Sequence, residues 1–214
     1  MFSSAVFADA LSDAIADDYD RHLGELFVYF HENPELSFME NNTAARLAAE
    51  LRATGFEVTD GVGQTGIVAV LENGPGPLVM MRADMYVLPV EEKSVLDNAS
   101  RAKQIDPNGN EVFVMHACGH DVHITSLVGT ARQMAAQKDA WSGTLMLIGQ
   151  PAEERISGAR AMMEDRLWER FGQPDMAMAF HVTSAVPTGK LVAALGAQYS
   201  GANTVDIIIH GVGA

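Results

Sequence analysis

Short apolar runs alternate with amphipathic stretches of helical period along this chain, and this alternation restricts the folds open to it. Strands are predicted at 67–71, 78–81, 144–148, 176–180, 190–194 and 205–209, and a further short apolar run covers 112–115. Helices are predicted over 9–30, between Asn41 and Gly55, over 124–135 and over about 158–170. Strands that alternate with helices in this way predict an α/β domain of three layers, with helices on both faces of a mostly parallel sheet.

The charge and hydropathy of the chain bound its partners and its location. The 214 residues include 14 Lys+Arg and 28 Asp+Glu, a net charge of −14, and no basic cluster. Because such a field repels phosphate backbones, no nucleic-acid partner is expected. No run approaches the roughly 18 apolar residues that cross a bilayer, so no membrane partner is expected. We expect a cytoplasmic protein; the alternative is a periplasmic or secreted one whose signal peptide has been truncated, with residues 1–8 as its remnant.

Four of the apolar runs are each followed at once by polar side chains that can bind a metal. These side chains are Asp84 after 78–81, Cys118 and His120 after 112–115, Glu153 and Glu154 after 144–148, and His181 after 176–180. Taken singly, each group has a plain structural explanation; paired glutamates, for example, are favoured at the N-terminus of a helix. Ligands of open α/β sheets bind beyond the carboxyl ends of the strands. We therefore expect the four groups to line one crevice and form a site.

The residue types at this crevice predict metal-assisted hydrolysis. Cys118 and His120 are two residues apart, so in an extended segment both side chains leave on the same side, and thiolate and imidazole are good zinc ligands. Glu153 and Glu154 point apart in a non-helical loop, so one can bind the metal while the other serves as general base. His181 adds a further nitrogen ligand. The alternative is a cysteine hydrolase, with Cys118 as nucleophile and a neighbouring histidine as base.

The other histidines are predicted to be structural. His116 and His123 flank the cysteine motif and are interpreted as loop or helix-capping residues. His22, His31 and His210 are interpreted as structural or surface residues.

Five motifs in a fixed order carry a resemblance to a known family. They are HENPELS (31–37), RADM (82–85), MHACGHD (115–121), QPAEE (150–154) and AFH (179–181). With these motifs the sequence resembles the aminoacylase, hippurate hydrolase and auxin-conjugate amidohydrolase family of two-metal metallopeptidases. The resemblance implies a three-layer αβα fold of the zinc-peptidase type.

The resemblance also implies a role for each residue of the site. The implied metal ligands are Cys118, which would bridge two divalent ions, and His120, Glu154 and His181. Glu153 would be the general base, and Asp84 a carboxylate that steadies the metal site. The ions would be Zn²⁺ or Mn²⁺, with Co²⁺ or Ni²⁺ also compatible with these ligands. The implied reaction is hydrolysis of the amide bond of N-acyl amino acids, or of similar acyl conjugates, by a metal-activated water.

Family members resemble one another in having an inserted dimerisation domain and a later histidine ligand. We therefore expect residues 1–8 to be disordered or a signal-peptide remnant, residues 9–200 to be the N-terminal portion of the catalytic domain, and residues 201–214 to be the first strand of a truncated dimerisation or lid domain. The resemblance implies a homodimer at full length and predicts that this fragment alone is inactive.

One position departs from the family pattern, because Tyr86 stands where the pattern has an aspartate.

The alternative to an enzyme is an incomplete or degenerate amidohydrolase module that binds metal, ligand or partner without turnover.

Overall fold

The computed structural model describes residues 4–193, 196, 205, 207, 210 and 211, with side chains from residue 10 onward. The chain divides into one unit of residues Met1–Val182 and a second of residues Thr183–Ala214. In the first unit the α-helices are α1 (Ser4–Asp18), α2 (Gly24–Glu32), α3 (Asn41–Ala53), α4 (His120–Ala136), α5 (Gly158–Glu164) and α6 (Leu167–Phe171). The strands are β1 (Glu57–Val62), β2 (Gly66–Asn73), β3 (Leu78–Asp84), β4 (Lys103–Ile105), β5 (Glu111–Phe113), β6 (Gly143–Gln150) and β7 (Met176–Ala179).

A five-stranded sheet in the order β1-β2-β6-β3-β7 forms the centre of the first unit. β3 pairs in parallel with β6 on one side and with β7 on the other. β2 pairs antiparallel with both β1 and β6, so β2 alone among these five strands runs against the others.

Alternate side chains of the strands face opposite layers of helices, as the two-residue period of a strand requires. On one face, Ile67 and Leu147 pack with residues of α2, α3 and α4 in one buried cluster. On the other face, Val68 and Met146 pack with residues of α5 and α6. The predicted three-layer αβα fold with a mostly parallel sheet is confirmed.

The first predicted helix is present and starts earlier than expected. It runs from Ser4 to Glu32 through α1, one π turn at Tyr19–Leu23, and α2. It ends at Asn33, just before Pro34, because the residue before a proline is pushed out of the helical region.

The predicted helix after Asn41 is α3, but its N-terminus is capped differently from the expectation. Residues 41–43 were the expected caps, whereas the helix follows Glu40, whose side chain does not cap it. Glu35 caps the helix instead, since its carboxylate accepts hydrogen bonds from the backbone N–H of Asn42 at 3.1 Å and of Thr43 at 2.7 Å.

The apolar run at 112–115 is the main correction to the predicted sheet. β5 pairs with β4 in a separate two-stranded sheet and does not join the five-stranded one. β1 and β4 were not predicted as strands. The helix predicted over about 158–170 is interrupted between α5 and α6, where Arg166 takes a left-handed conformation with φ of 62°.

The described residues of the second unit form turns. Hydrogen bonds from Val186 N–H to Thr183 O at 3.3 Å and from Lys190 N–H to Pro187 O at 3.1 Å close two of them. Residues 190–193 do not form the predicted strand, and residue 194 lies outside the described residues. The strand predicted at 205–209 also lies mostly outside them. Across the part of the chain that the structure describes, none of the helices is long and apolar enough to cross a membrane.

Candidate metal centre

Three of the four predicted groups meet because three parallel strands end side by side. β6, β3 and β7 are neighbours that point the same way, so Asp84, the Glu153–Glu154 pair and His181 all follow strand ends at one edge of the sheet. The fourth group arrives by another path. Met115 and Leu88 exchange two backbone hydrogen bonds of 3.2 Å, which hold the segment before Cys118 beside the chain that leaves β3.

His120 is buried with one ring nitrogen bound and the other free. It is the first residue of α4 and is 1% exposed. Its Nδ1 lies 2.5 Å from the carbonyl of Tyr86, which can only accept, so we assign the proton to Nδ1. Its Nε2 is buried and has no hydrogen-bond partner. Burial lowers the pKa of His120 and so favours the neutral ring. A metal-ligating histidine shows this same arrangement, with one N–H held by a carbonyl and the other lone pair available.

His181 presents a second free lone pair, and it faces Cys118. The His181 Nδ1 donates to the carbonyl of Val182 at 2.6 Å, which leaves Nε2 as an acceptor 3.4 Å from the Cys118 Sγ. Gly119 follows Cys118 with φ of 79°, and a Cβ there would collide with the side chain of Val182. The motif therefore requires glycine between its two predicted ligands.

The predicted ligands form one cluster around Cys118. The ligand atoms of Cys118, His120 and Glu154 all lie within 4.8 Å of one another. Burial, followed by the neighbouring carboxylates of Glu154, Glu153 and Asp84, raises the pKa of Cys118 to about 12. Such a thiol is protonated at neutral pH and is a poor nucleophile without a cation beside it. This disfavours the cysteine-hydrolase alternative.

Asp84 is fully buried and is held by two neighbours. One carboxylate oxygen accepts from His123 Nδ1 at 2.6 Å, and the other accepts from Arg82 Nη1 at 2.6 Å. Burial opposes ionisation, but the hydrogen bond from His123 and the charge of Arg82 outweigh it and hold the pKa of Asp84 well below its usual range. Its second oxygen lies 3.8 Å from His120 Nε2. Asp84 is therefore a buried carboxylate beside the cluster.

His123 is the residue that the sequence analysis undervalued. It stands with Asp84, His120 and His181 in a group whose ligand atoms lie within 4.8 Å of one another. Its Nδ1 donates to Asp84, and its Nε2 accepts from the backbone N–H of Val182 at 3.1 Å. Because both ring nitrogens are used within the protein, His123 orients Asp84 and the segment around His181. The sequence signal that could have pointed to His123 is its spacing of three residues from His120, which puts both side chains on one helix face.

The two glutamates follow β6 in a single 3₁₀ turn, Glu153–Arg155. Glu153 is 35% exposed at its side chain, and its Oε2 lies 3.9 Å from His120 Nε2. Glu154 joins the group with Cys118. Both carboxylates therefore lie beside the cluster, Glu153 partly buried near His120 and Glu154 more exposed near Cys118.

Two of the remaining histidines of the first unit pair with carboxylates outside the cluster. His22 Nε2 lies 2.7 Å from Glu50, and His31 Nδ1 lies 2.6 Å from Asp121. Burial lowers the pKa of His116 to about 4.

The donors fit a pair of divalent metal ions. His120 has a buried Nε2 without a partner, His181 has its Nε2 beside Cys118, and a thiol and carboxylates surround them, a set typical of zinc and related transition metals. Cys118 connects the candidate ligands, since it lies beside His181 and also groups with His120 and Glu154.

Comparison with known proteins gives one family and closely related structures. The model of the peptidase family M20/M25/M40 matches residues 80–212. Thermostable carboxypeptidase 2 of Saccharolobus solfataricus is 39% identical over 187 residues, which cover 86% of this chain and 44% of that protein. Hippurate hydrolase of Campylobacter jejuni is 39% identical over 184 residues, which cover 86% of this chain and 45% of that protein.

A solved structure agrees with these sequence matches. The crystal structure of the Bacillus subtilis YXEP protein, a dinuclear metal-binding peptidase from the M20 family, superposes with a TM-score of 0.70 at 31% identity. The match covers 81% of this chain and 45% of that one. The chain therefore spans less than half the length of these similar proteins.

Proposed function

Because the chain belongs to the peptidase family M20/M25/M40, we propose that it supplies the catalytic residues of a metal-dependent hydrolase that cleaves the amide bond of N-acyl amino acids. The observation that carries the proposal is the placement of two histidines beside one cysteine. His181 Nε2 lies 3.4 Å from Cys118, and the unpartnered Nε2 of His120 shares a 4.8 Å cluster with Cys118 and Glu154.

The substrate class follows from two relatives taken together. One is named a carboxypeptidase and the other a hippurate hydrolase, hippurate being an N-acylated glycine. Both names describe cleavage of an amide whose amine side is an amino acid with a free carboxylate. We extend this shared feature to the present chain as its substrate class, with similar acyl conjugates included.

Each residue of the cluster receives a role in this proposal. Cys118, His120, Glu154 and His181 would be the ligands that hold two ions. The ions are proposed to be Zn²⁺ or Mn²⁺, with Co²⁺ or Ni²⁺ as substitutes. Bound there, they would polarise the acyl carbonyl and lower the pKa of water.

Glu153 is proposed to move the proton. Its carboxylate lies beside the cluster, with Oε2 3.9 Å from His120 Nε2, so it can accept a proton from the attacking water and return that proton to the amine that leaves. Asp84 does not touch substrate in this scheme. It is a positioning residue, tied through His123 to the segment around His181 and by a 3.8 Å approach to His120.

The organisation of the whole protein is part of the same proposal. Residues 9–200 form the N-terminal portion of the catalytic domain, together with the start of α1 before them, and residues 201–214 begin a dimerisation or lid domain. We propose a cytoplasmic homodimer, and we expect the 214 residues alone to turn over no substrate, because the relatives are more than twice as long as their matched part.

Metal content tests the proposal directly. Elemental analysis of freshly purified, unchelated chain should find one or two equivalents of a transition metal, and Cys118→Ser should bind less. Hydrolysis of hippurate by the full-length protein should stop on chelation and return when metal is restored. Folded protein that binds no metal, or activity that survives chelation, would overturn the proposal.

A further inference from the structure

Glu40 is a buried carboxylate that none of the roles above uses. It is 0% exposed and lies at the start of α3, yet its side chain does not cap that helix, because Glu35 does. None of the ion pairs among the described residues includes Glu40. Burying a carboxylate without a cation is costly unless hydrogen bonds compensate for the lost water.

The compensating hydrogen bonds lead to the turn that holds the two site glutamates. One oxygen of Glu40 accepts from the backbone N–H of Ala152 at 2.9 Å. The other accepts from the hydroxyl of Thr65 at 2.6 Å. Ala152 directly precedes Glu153, and it lies 112 residues from Glu40 in the sequence.

Ala152 has a backbone conformation that needs external support. Its φ is 45°, a left-handed conformation that costs free energy for any residue with a Cβ. Ile156, with φ of 52°, ends the turn in the same conformation. The carbonyl of Ala152 accepts from Gly158 N–H at 3.3 Å, and its N–H donates to Glu40, so both backbone polar groups of the residue before Glu153 are held.

We propose that Glu40 is a positioning residue for the turn Glu153–Arg155. Its carboxylate holds the left-handed Ala152 and thereby sets the direction in which Glu153 and Glu154 leave the strand end. The catalytic meaning of this orientation rests on the proposed function. The fixing of the turn by Glu40 does not depend on that function.

Glu40→Ala tests the proposal through the order of the turn. Arg155 is exposed and lies inside the turn, so trypsin cleavage after Arg155 reports its opening without any assay of activity. Removing a charged hydrogen-bond acceptor should speed this cleavage about tenfold or more. Glu40→Gln should restore slow cleavage, since its amide oxygen can still accept from Ala152 N–H and its amide N–H₂ can donate to Thr65.

Glu35→Ala is the matched control, because Glu35 is a buried carboxylate of the same segment that caps α3 and does not contact Ala152. It should destabilise the protein without opening the turn. In the active protein, Glu40→Ala should lower kcat by roughly a hundredfold with little change in KM, and Glu35→Ala should not.

The readouts separate the two proposals. If the unmutated protein has no hydrolase activity and Glu40→Ala is still cleaved fast after Arg155, the positioning role is supported and the proposed function is wrong. Cleavage after Arg155 that is no faster in Glu40→Ala than in Glu35→Ala would overturn the positioning role. If Glu40→Ala does not fold, Glu40→Asp, which keeps the charge but shortens the reach, is judged by the same comparison.

Discussion

Metal binding by the cluster should release one proton from Cys118, and the affinity should depend on pH accordingly. Burial and the carboxylates of Glu154 and Glu153 raise the pKa of Cys118 to about 12. At pH 7 the free thiolate is then about 10⁻⁵ of the total, so nearly every binding event displaces the proton. Because the protonated form competes with the metal, the apparent affinity should rise about tenfold for each pH unit.

The behaviour at alkaline pH distinguishes this thiol from an ordinary one. A thiol with an unperturbed pKa of about 8.5 is ionised above about pH 9, where the affinity would stop rising. Because Cys118 has a pKa of about 12, the apparent metal affinity should keep rising about tenfold for each pH unit through this range. Competition with a chromophoric chelator measures the affinity from about pH 7 to about pH 10, and calorimetry in buffers of different ionisation enthalpy counts the protons released.

Cys118→Ser is the control, because a hydroxyl of similar size ionises much less readily. The variant should bind metal more weakly and lose the proton release at neutral pH. A plateau above about pH 9 would refute the effect of burial and carboxylates on the thiol. An unchanged proton release in Cys118→Ser would refute the thiolate as a ligand.

Three further changes test separate parts of the structure. Glu153→Ala should keep its metal by elemental analysis but lose about 10² to 10⁴ in turnover of hippurate, and loss of metal would contradict the division of roles between the two glutamates. Asp84→Asn should weaken metal binding about 10- to 100-fold in chelator competition, because His123 loses its charged acceptor; unchanged affinity would show that Asp84 does not steady the site. Leu147→Ala removes a fully buried side chain from the central strand β6 and should lower the free energy of unfolding by about 2 to 5 kcal/mol in urea titrations, whereas a loss under about 1 kcal/mol would mean that this layer is not closely packed.

The main sheet and its helices could be predicted because their hydrophobic periods are local. The alternation of Ile67 and Val68 between two helix layers is visible in the sequence as a run that is apolar on both faces. The hairpin of β4 and β5 could not be predicted in the same way. A short apolar run has the same local pattern in a hairpin as in a core strand, and the pairing of β5 with β4 becomes visible only in the folded chain.

The cluster of candidate ligands could be predicted because parallel neighbouring strands bring their carboxyl ends together. The residues that support it could not, since their partners are distant in sequence. His123 and Asp84 are 39 residues apart, and Glu40 and Ala152 are 112 apart. His123 and Glu40 look locally like helix-start residues, and only the folded chain shows what their side chains contact.

The departure at Tyr86 removes charge near the cluster and leaves the orientation of His120 intact. The group of Tyr86 that bonds to the cluster is its backbone carbonyl, which accepts from His120 Nδ1 at 2.5 Å. That contact depends on the path of the main chain and is available to any residue at this position. Burial raises the pKa of the phenol, so Tyr86 is neutral where the family resemblance expects an aspartate. Because carboxylates already hinder the ionisation of Cys118, a neutral side chain here makes the thiolate easier to form than an aspartate would.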